Sequence, residues 1–483
     1  MSKQRSHIII LMLLMSRLLV AQQNLTLFLM HDVPQAGFVN PAVSGSMPWI
    51  IGVPALASIH ASYANSAFSM DEGLRYDAAV DSFYLNFDAV VNGFNSTETV
   101  MSSIHYTPLF VGFWVKENWV SISLSEKVTS FNTIPREAAR LAWYGNTPFV
   151  GREASLDGLR ANAYHYRDYA LGLARNMSAR WSIGLRAHLL WGKGAVYTPR
   201  TQGGISTNAN NFGLLINLDS RVHSSLPIEV GMDAEGYVDH IDWKEDIDWK
   251  DYLMNRRNMG VSFDLGFIYR YDDKTTFSGS LLNLGFIAWK TSLNTFVSSG
   301  TFAFTGTDSS TDFNGGDYAE ALADSLRGQF LPSPNSERFT TRLAPEIYLG
   351  ATRKLRPHLN AGTVFYGRIL RNKLVPAFTL SVNTLEYKTL NASLSYTAIN
   401  GDYLNIGAGI GLALGMFHLH AVADNVPGLF RLEKQRNLSL RLGLSIVPVR
   451  NGEKEEKAMR QKGVGAIPCY HSPYKGERKK RKR

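Results

Sequence analysis

The stretch Trp181-Ser182-Ile183-Gly184-Leu185-Arg186-Ala187-His188-Leu189-Leu190-Trp191 alternates with a period of two. Its odd positions are apolar, with a Trp at each end, and its even positions are small, polar or charged as far as Leu190. Side chains that alternate in this way belong to a strand, because successive residues point to opposite faces. Ten steps give about 33 Å of strand, and a tilt of about 40° reduces this to about 25 Å, the height of the apolar band on a membrane barrel. Trp favours the headgroup level, where its ring is half buried and its N–H wet. The segment therefore reads as one stave of a transmembrane β-barrel, with Arg186 and His188 turned toward the lumen.

Other segments repeat the pattern. Val261 to Tyr271 sets six apolar or aromatic residues against Ser262, Asp264, Gly266, Ile268 and Arg270. Leu438 to Ile446 sets Leu and Ile against Ser439, Arg441, Gly443 and Ser445, and Leu404 to Leu414 sets its apolar face against Asn405 and three Gly. Val120, Ile122 and Leu124 alternate with Ser121, Ser123 and Ser125. A soluble sandwich would place charge outside and pack Leu within. Here one face is apolar over about ten residues and the other is mostly Gly and Ser with an occasional charge, which suits a crowded or water-filled lumen. Arg186, His188, Asp264, Arg270 and Arg441 are the lumen-facing candidates. A charge there needs a partner or water, so mutual pairing that holds a plug is the first reading and substrate contact the second.

The chain begins with a basic n-region (Lys3, Arg5) and an apolar core from Ile8 to Met15, continued at Leu18 to Ala21. Residues 1–21 read as an export signal, imperfect at Arg17 and Leu19. No later stretch approaches about 18 apolar residues, so a spanning helix is disfavoured and a closed barrel is the remaining way across a membrane. The net charge of +9 is misleading. Residues 450–483 hold 12 Lys/Arg and 4 Asp/Glu, and the signal holds three more basic residues, so 22–449 carries −2. The basicity is a C-terminal tail. It reads as a solvated, disordered periplasmic end, and in a second reading as a contact for an anionic partner. Cys469 is the only cysteine, which excludes an intramolecular disulfide and N-terminal lipidation.

Residues 22–57 hold Asn40-Pro41-Ala42, Pro48 and Pro54 without sustained alternation, and read as an irregular lead-in or plug inside the barrel. Residues 58–449 read as the barrel. Sixteen strand-like segments are legible, near 58–64, 104–115, 119–131, 159–175, 181–193, 212–225, 258–271, 275–284, 287–298, 343–354, 359–369, 375–385, 390–399, 404–414, 416–422 and 437–449. An even number of about 14 staves is expected of a bacterial barrel. Asn400-Gly401-Asp402 and Tyr271-Asp272-Asp273-Lys274 read as tight turns. Residues 72–101, 132–156, 226–257 and 299–340 read as long extracellular loops. Within them Pro135 to Tyr144 has a helical pattern, and 226–257 repeats Asp-Trp-Lys at Asp242 and Asp248, as a short amphipathic helix or a ligand-facing surface. The run Asp308, Asp312, Asn314, Gly315, Gly316 and Asp317 lacks the spacing of a calcium loop and reads as solvated loop.

Gly37 to Gly45, around Asn40-Pro41-Ala42, resembles the Asn-Pro-Ala element near the mature N-terminus of FadL-type fatty-acid transporters and of the PorV and PorP/SprF barrels of the type IX secretion and gliding system. Gly52 to Ser58, Ser62 to Phe68, His165 to Gly172 and Leu284 to Lys290 resemble a family of uncharacterised Bacteroidota outer-membrane barrels, catalogued as a domain of unknown function. The resemblance runs over roughly residues 22–449 and leaves out the tail. It implies an outer-membrane location and a barrel distantly like FadL, and it implies no activity.

No G-x-S-x-G, Walker A, H-E-x-x-H or paired C-x-x-C occurs. His188 has no Ser that the sequence pairs with it, so the chain reads as a non-enzyme with no cofactor and no metal. Arg167 and Asp168, at the start of strand 159–175, read as a structural ion pair at the plug, or as a gate. Two functions stand. One is FadL-like binding or transport of a small apolar molecule past the plug. The other is a non-transporting scaffold or accessory barrel of a secretion or surface-attachment complex, with the basic tail as its contact to a periplasmic or secretion-system protein. Outer-membrane lipid is a partner in both, and nucleic acid in neither. Fractionation is expected to place the protein in the outer membrane as a heat-modifiable band; recovery as a soluble periplasmic monomer without detergent would contradict the membrane reading.

Overall fold

A computed structural model describes residues 24–31, 33–66, 74–77, 82–210, 213–232, 234, 238–304, 331–332, 337–370, 373–384, 389–399, 402–430 and 436–448. The export signal, the basic tail with Cys469, the run Asp308 to Asp317 and the Asn400-Gly401 turn lie outside the described residues.

Fourteen antiparallel staves close into one barrel. They are β1, broken into Trp49–Gly52 and Ser58–Asn65; β2, Thr97–Val115; β3, Asn118–Pro135; β4, Asn162–Asn176; β5, Trp181–Thr207; β6, Asn258–Arg270; and β7, Thr275–Trp289. The ring continues with β8, Glu346–Arg356; β9, Leu359–Leu370; β10, Lys373–Thr384; β11, Leu390–Ile399; β12, Asp402–Leu414; β13, Phe417–Ala423; and β14, Asn437–Ile446. Each stave pairs with its neighbours in the chain. The ring closes where β14 pairs with both halves of β1, Ile51 opposite Ile446 and Ile59 opposite Leu442.

The alternation becomes two surfaces. Ile183, Leu185, Val261, Phe263 and Leu265 are exposed on the outside, as a lipid-facing belt requires. Ser182, Arg186, His188, Ser262 and Asp264 are buried on the inside. Trp181 packs against Tyr269, with ring centroids 4.6 Å apart, and Trp191 packs against Tyr169 at 4.5 Å. The two aromatic clusters mark the ends of the belt. Connections such as 116–117, 177–180, 271–274, 357–358 and 415–416 lie at one end, with the start of β1 and the finish of β14; this is the turn end. The described parts of the four long insertions lie at the other, the loop end. Pro135 to Tyr144 forms a helix over Arg136–Tyr144, and the Asp-Trp-Lys repeats divide between a hairpin strand, Val238–Trp243, and a short helix, Trp249–Leu253.

Two of the sixteen segments are not staves. Leu214–Ser225 pairs with the far half of β5 and with Leu293–Phe304, extending the wall beyond the Trp191 level. The segment 287–298 joins the end of β7 to the start of that extension strand. Periodicity cannot separate a stave from its extension, because both alternate. The first stave also begins earlier than its alternation, at Trp49, inside the stretch read as lead-in.

Leu185→Arg places a charge in the middle of the belt. It is expected to destabilise the barrel in lipid by about 2–4 kcal/mol. Asp246→Arg, on the exposed loop before Trp249, is expected to leave urea unfolding in vesicles unchanged; equal effects would place the belt elsewhere.

Candidate functional site

Residues 24–47 run through the lumen. The segment makes one short helix, Leu25–Phe28, and a 3-10 turn, Pro34–Phe38, with Pro34 at the first helical position, where its missing N–H costs nothing. Leu25, Leu27, Phe28, Leu29, Met30 and Val33 are buried against the inner wall, and Phe28 stacks on Tyr348 of β8 at 5.0 Å. Polar anchors come from many staves. Thr26 N–H donates to Asp424 Oδ1 at 2.8 Å, Gln35 Nε2 to Ser445 Oγ at 2.9 Å and Ser280 Oγ to the Val39 carbonyl at 2.6 Å.

The lumen glycines give this segment its room. A Cβ at Gly184 would meet the Pro41 carbonyl at 2.1 Å, one at Gly266 the Asn40 Oδ1 at 2.2 Å and one at Gly409 the Met30 sulfur at 2.2 Å. Asn40 Oδ1 accepts the Ala42 N–H at 3.0 Å, which closes a local turn, and Asn40 Nδ2 donates to the Phe267 carbonyl at 3.3 Å. Asn40, Pro41 and Ala42 thus sit against β5 and β6 near the turn end.

Arg186 and Arg441 both lie over the ring of Phe38, at 5.3 and 5.6 Å, within cation–π range. Arg441 also donates to Asn24 Oδ1 at 2.8 Å and to Ser58 Oγ at 2.9 Å. Arg270 donates to Ser182 Oγ at 3.1 Å. His188 lies between two carboxylates, with Nδ1 2.8 Å from Asp168 Oδ1 and Nε2 2.9 Å from Asp264 Oδ2. Lys127 Nζ reaches Asp168 Oδ2 at 2.7 Å. Both imidazole nitrogens are spent on carboxylates, so neither is left to activate a nucleophile.

The structure separates Arg167 from Asp168. Neighbours in a strand face opposite sides, so Asp168 joins the lumen chain while Arg167 pairs with Glu126 on the outer side, beside His165. Arg167 therefore makes no contact with the segment 24–47. Lys127 escaped the sequence reading although the signal was present: two steps beyond Ser121, Ser123 and Ser125, the same face arrives at Lys127.

Above the chain Lys127-Asp168-His188-Asp264 a chamber of about 640 Å3 opens toward the loop end. It also reaches a break in the wall. β7 pairs with β8 up to Leu282 opposite Glu346, and resumes with the short strand Phe339–Arg342 at Phe286 opposite Arg342. Between them Leu343 N–H still donates to the Gly285 carbonyl at 3.0 Å, but Asn283 and Leu284 face Ala344 and Pro345 without ladder pairs. Asn283 has a left-handed φ of 61°. Its N–H turns inward to Asp264 Oδ1, at 2.7 Å. Asn283, Leu284, Gly285, Leu343, Ala344 and Pro345 all line the chamber.

Gly184→Ala is expected to displace the Asn40-Pro41-Ala42 turn while the barrel stays closed, since the added methyl overlaps a backbone carbonyl. Single-channel conductance in planar bilayers should rise, with the heat-modifiable band retained; unchanged conductance would mean that the turn does not seal the turn end.

Among solved structures, the toluene transporter TbuX of Ralstonia pickettii is similar at 8% identity, covering 87% of this chain and 95% of its own, with a TM-score of 0.38. A FadL homologue of Pseudomonas aeruginosa is similar at 11% identity, covering 89% and 98%, with a TM-score of 0.39. The translocator domain of the autotransporter NalP from Neisseria meningitidis is similar at 8%, covering 86% and 96%, with a TM-score of 0.32. No curated protein matches the sequence. Residues 41–424 match the family of unknown function DUF5723, and the chain belongs to that family.

Proposed function

We propose that this barrel sits in the outer membrane with its long insertions outside and both termini in the periplasm, and that it binds a small, largely apolar molecule and passes it across the wall. The observation that carries this reading is the chamber of about 640 Å3, with Lys127 in its lining and the break between β7 and β8 in its wall. Its volume is that of a small-molecule site. Phe131, Tyr164, Tyr166, Leu343 and Ile369 supply apolar wall. Residues 1–21 are proposed as the export signal, 24–47 as the plug, and 450–483 as a periplasmic tail available to a protein partner.

The alternative is a scaffold that transports nothing. The close fit of 24–47 against the lumen glycines favours it, since a permanently filled barrel serves as an anchor.

The full-length barrel in nanodiscs is titrated with 2-naphthol, a neutral aromatic small enough for the chamber. Saturable binding is expected, and Thr129→Trp, which puts a large side chain on the chamber lining from the lumen face of β3, is expected to weaken it about tenfold, the equivalent of 1.4 kcal/mol. Absence of saturable binding, together with unchanged permeability of vesicles when residues 24–45 are deleted, would favour the scaffold.

A further inference from the structure

The charges around the chamber do not fit a hydrocarbon. Its lining includes Lys127, Arg160, Arg342 and Arg368 but one carboxylate, Glu346. Lys127 is matched by Asp168, at 2.7 Å, and Arg368 by Glu346, at 3.8 Å. Among the described residues Arg160 and Arg342 have no ion-pair partner. The backbone of Arg160 is fixed: its N–H and carbonyl exchange hydrogen bonds with Thr133 of β3, both at 3.0 Å. Its side chain is not, for the Nε is buried with no hydrogen-bond partner. A buried N–H with no acceptor is costly, the rest of this half-exposed guanidinium is open to a ligand, and its planar fork of N–H donors is suited to a carboxylate. Aromatic faces stand beside it. Tyr164, Tyr166, Tyr197 and Phe131 line the same chamber, and Tyr197 already lies nearly parallel to Phe339, at 10°.

We propose that the occupant of the chamber is an organic anion, an aromatic carboxylate whose acid group is held by Arg160 and whose ring lies among the tyrosines. Arg342, beside the break in the wall, supplies a second cation near the point where the chamber meets that break. This assignment rests on the reading that the chamber binds a small molecule. It adds a negative charge to the largely apolar molecule of that reading.

Three ligands that share one naphthalene ring separate the two. The full-length barrel in nanodiscs at pH 7.5 is titrated with 2-naphthoate, methyl 2-naphthoate and 2-naphthol. The expected result is that the acid binds at least about tenfold more tightly than its ester, as a charge-assisted hydrogen bond requires, and that Arg160→Gln brings the ratio of acid to ester affinity to about one. Arg160→Lys should restore part of the preference. Equal affinities for acid, ester and alcohol in the unaltered protein would overturn the anion assignment and leave the small-molecule reading standing. Binding of none of the three would overturn both. The ligand comparison needs no variant, so a folding defect in Arg160→Gln would not decide the matter.

Discussion

A strand that enters hydrocarbon must bond every backbone N–H and C=O to a neighbour, and only a closed ring leaves no edge. Closure here falls to the first and last staves. β1 bends between Gly52 and Ser58, where Ala55 takes a left-handed φ of 66°. The bend costs little pairing, because Val53 N–H still reaches the Leu444 carbonyl at 2.9 Å and Leu444 N–H the Leu56 carbonyl at 2.8 Å. Once the ring closes, the alternation fixes the rest: what faces lipid is apolar, and what remains faces inward. That inner surface, rich in Ser, Thr, Asn and His, must be hydrated or filled. Near the turn end it is filled by the chain's own residues 24–47.

The same constraint explains why the one break in the β7–β8 ladder lies where it does. An N–H released from a ladder in the wall needs another acceptor. Asn283 finds Asp264, the carboxylate that also holds His188. Opposite, Pro345 has no N–H to release, and its carbonyl accepts from Ile369 of β9 at 2.8 Å. The buried charges and the break are thus one arrangement, joined at Asp264. Removing that carboxylate would leave His188 Nε2 and the Asn283 N–H without their partner, while His188 Nδ1 kept Asp168.

Period-two alternation made the barrel legible, and it assigned Arg186, His188, Asp264, Arg270 and Arg441 to the inner surface on which they are found. It also held the answer for Lys127, three positions past Leu124, and for Arg167 and Asp168, which a strand must send to opposite faces. What it could not supply was distance across the lumen. Thr26 meets Asp424 and Gln35 meets Ser445, pairs nearly 400 residues or more apart, and no local pattern encodes them. The glycines of the inner face were visible as small residues. Their purpose was not, because the carbonyl of Pro41 against Gly184 exists only once the ring has closed. The excess of segments over staves has the same origin: an extension strand alternates like a stave, and only its partners tell them apart.

The two functional readings differ in which element has to give way. Moving the segment 24–47 out of the lumen would expose Leu25, Leu27, Phe28 and Leu29, each worth about 1.5–3 kcal/mol when fully buried. It would also break the hydrogen bonds of Thr26, Gln35, Asn40 and Arg441, each worth about 0.5–1.5 kcal/mol net, and more where a charge is left behind. The sum is comparable with the whole stability of a small domain, so such a displacement is rare without something to drive it. The break between β7 and β8 is different. Its ladder is already interrupted, the Asn283 N–H and the Pro345 carbonyl already have other partners, and widening it sacrifices few bonds. In the transport reading, passage therefore falls to the break in the wall; in the scaffold reading, anchorage falls to the filled lumen.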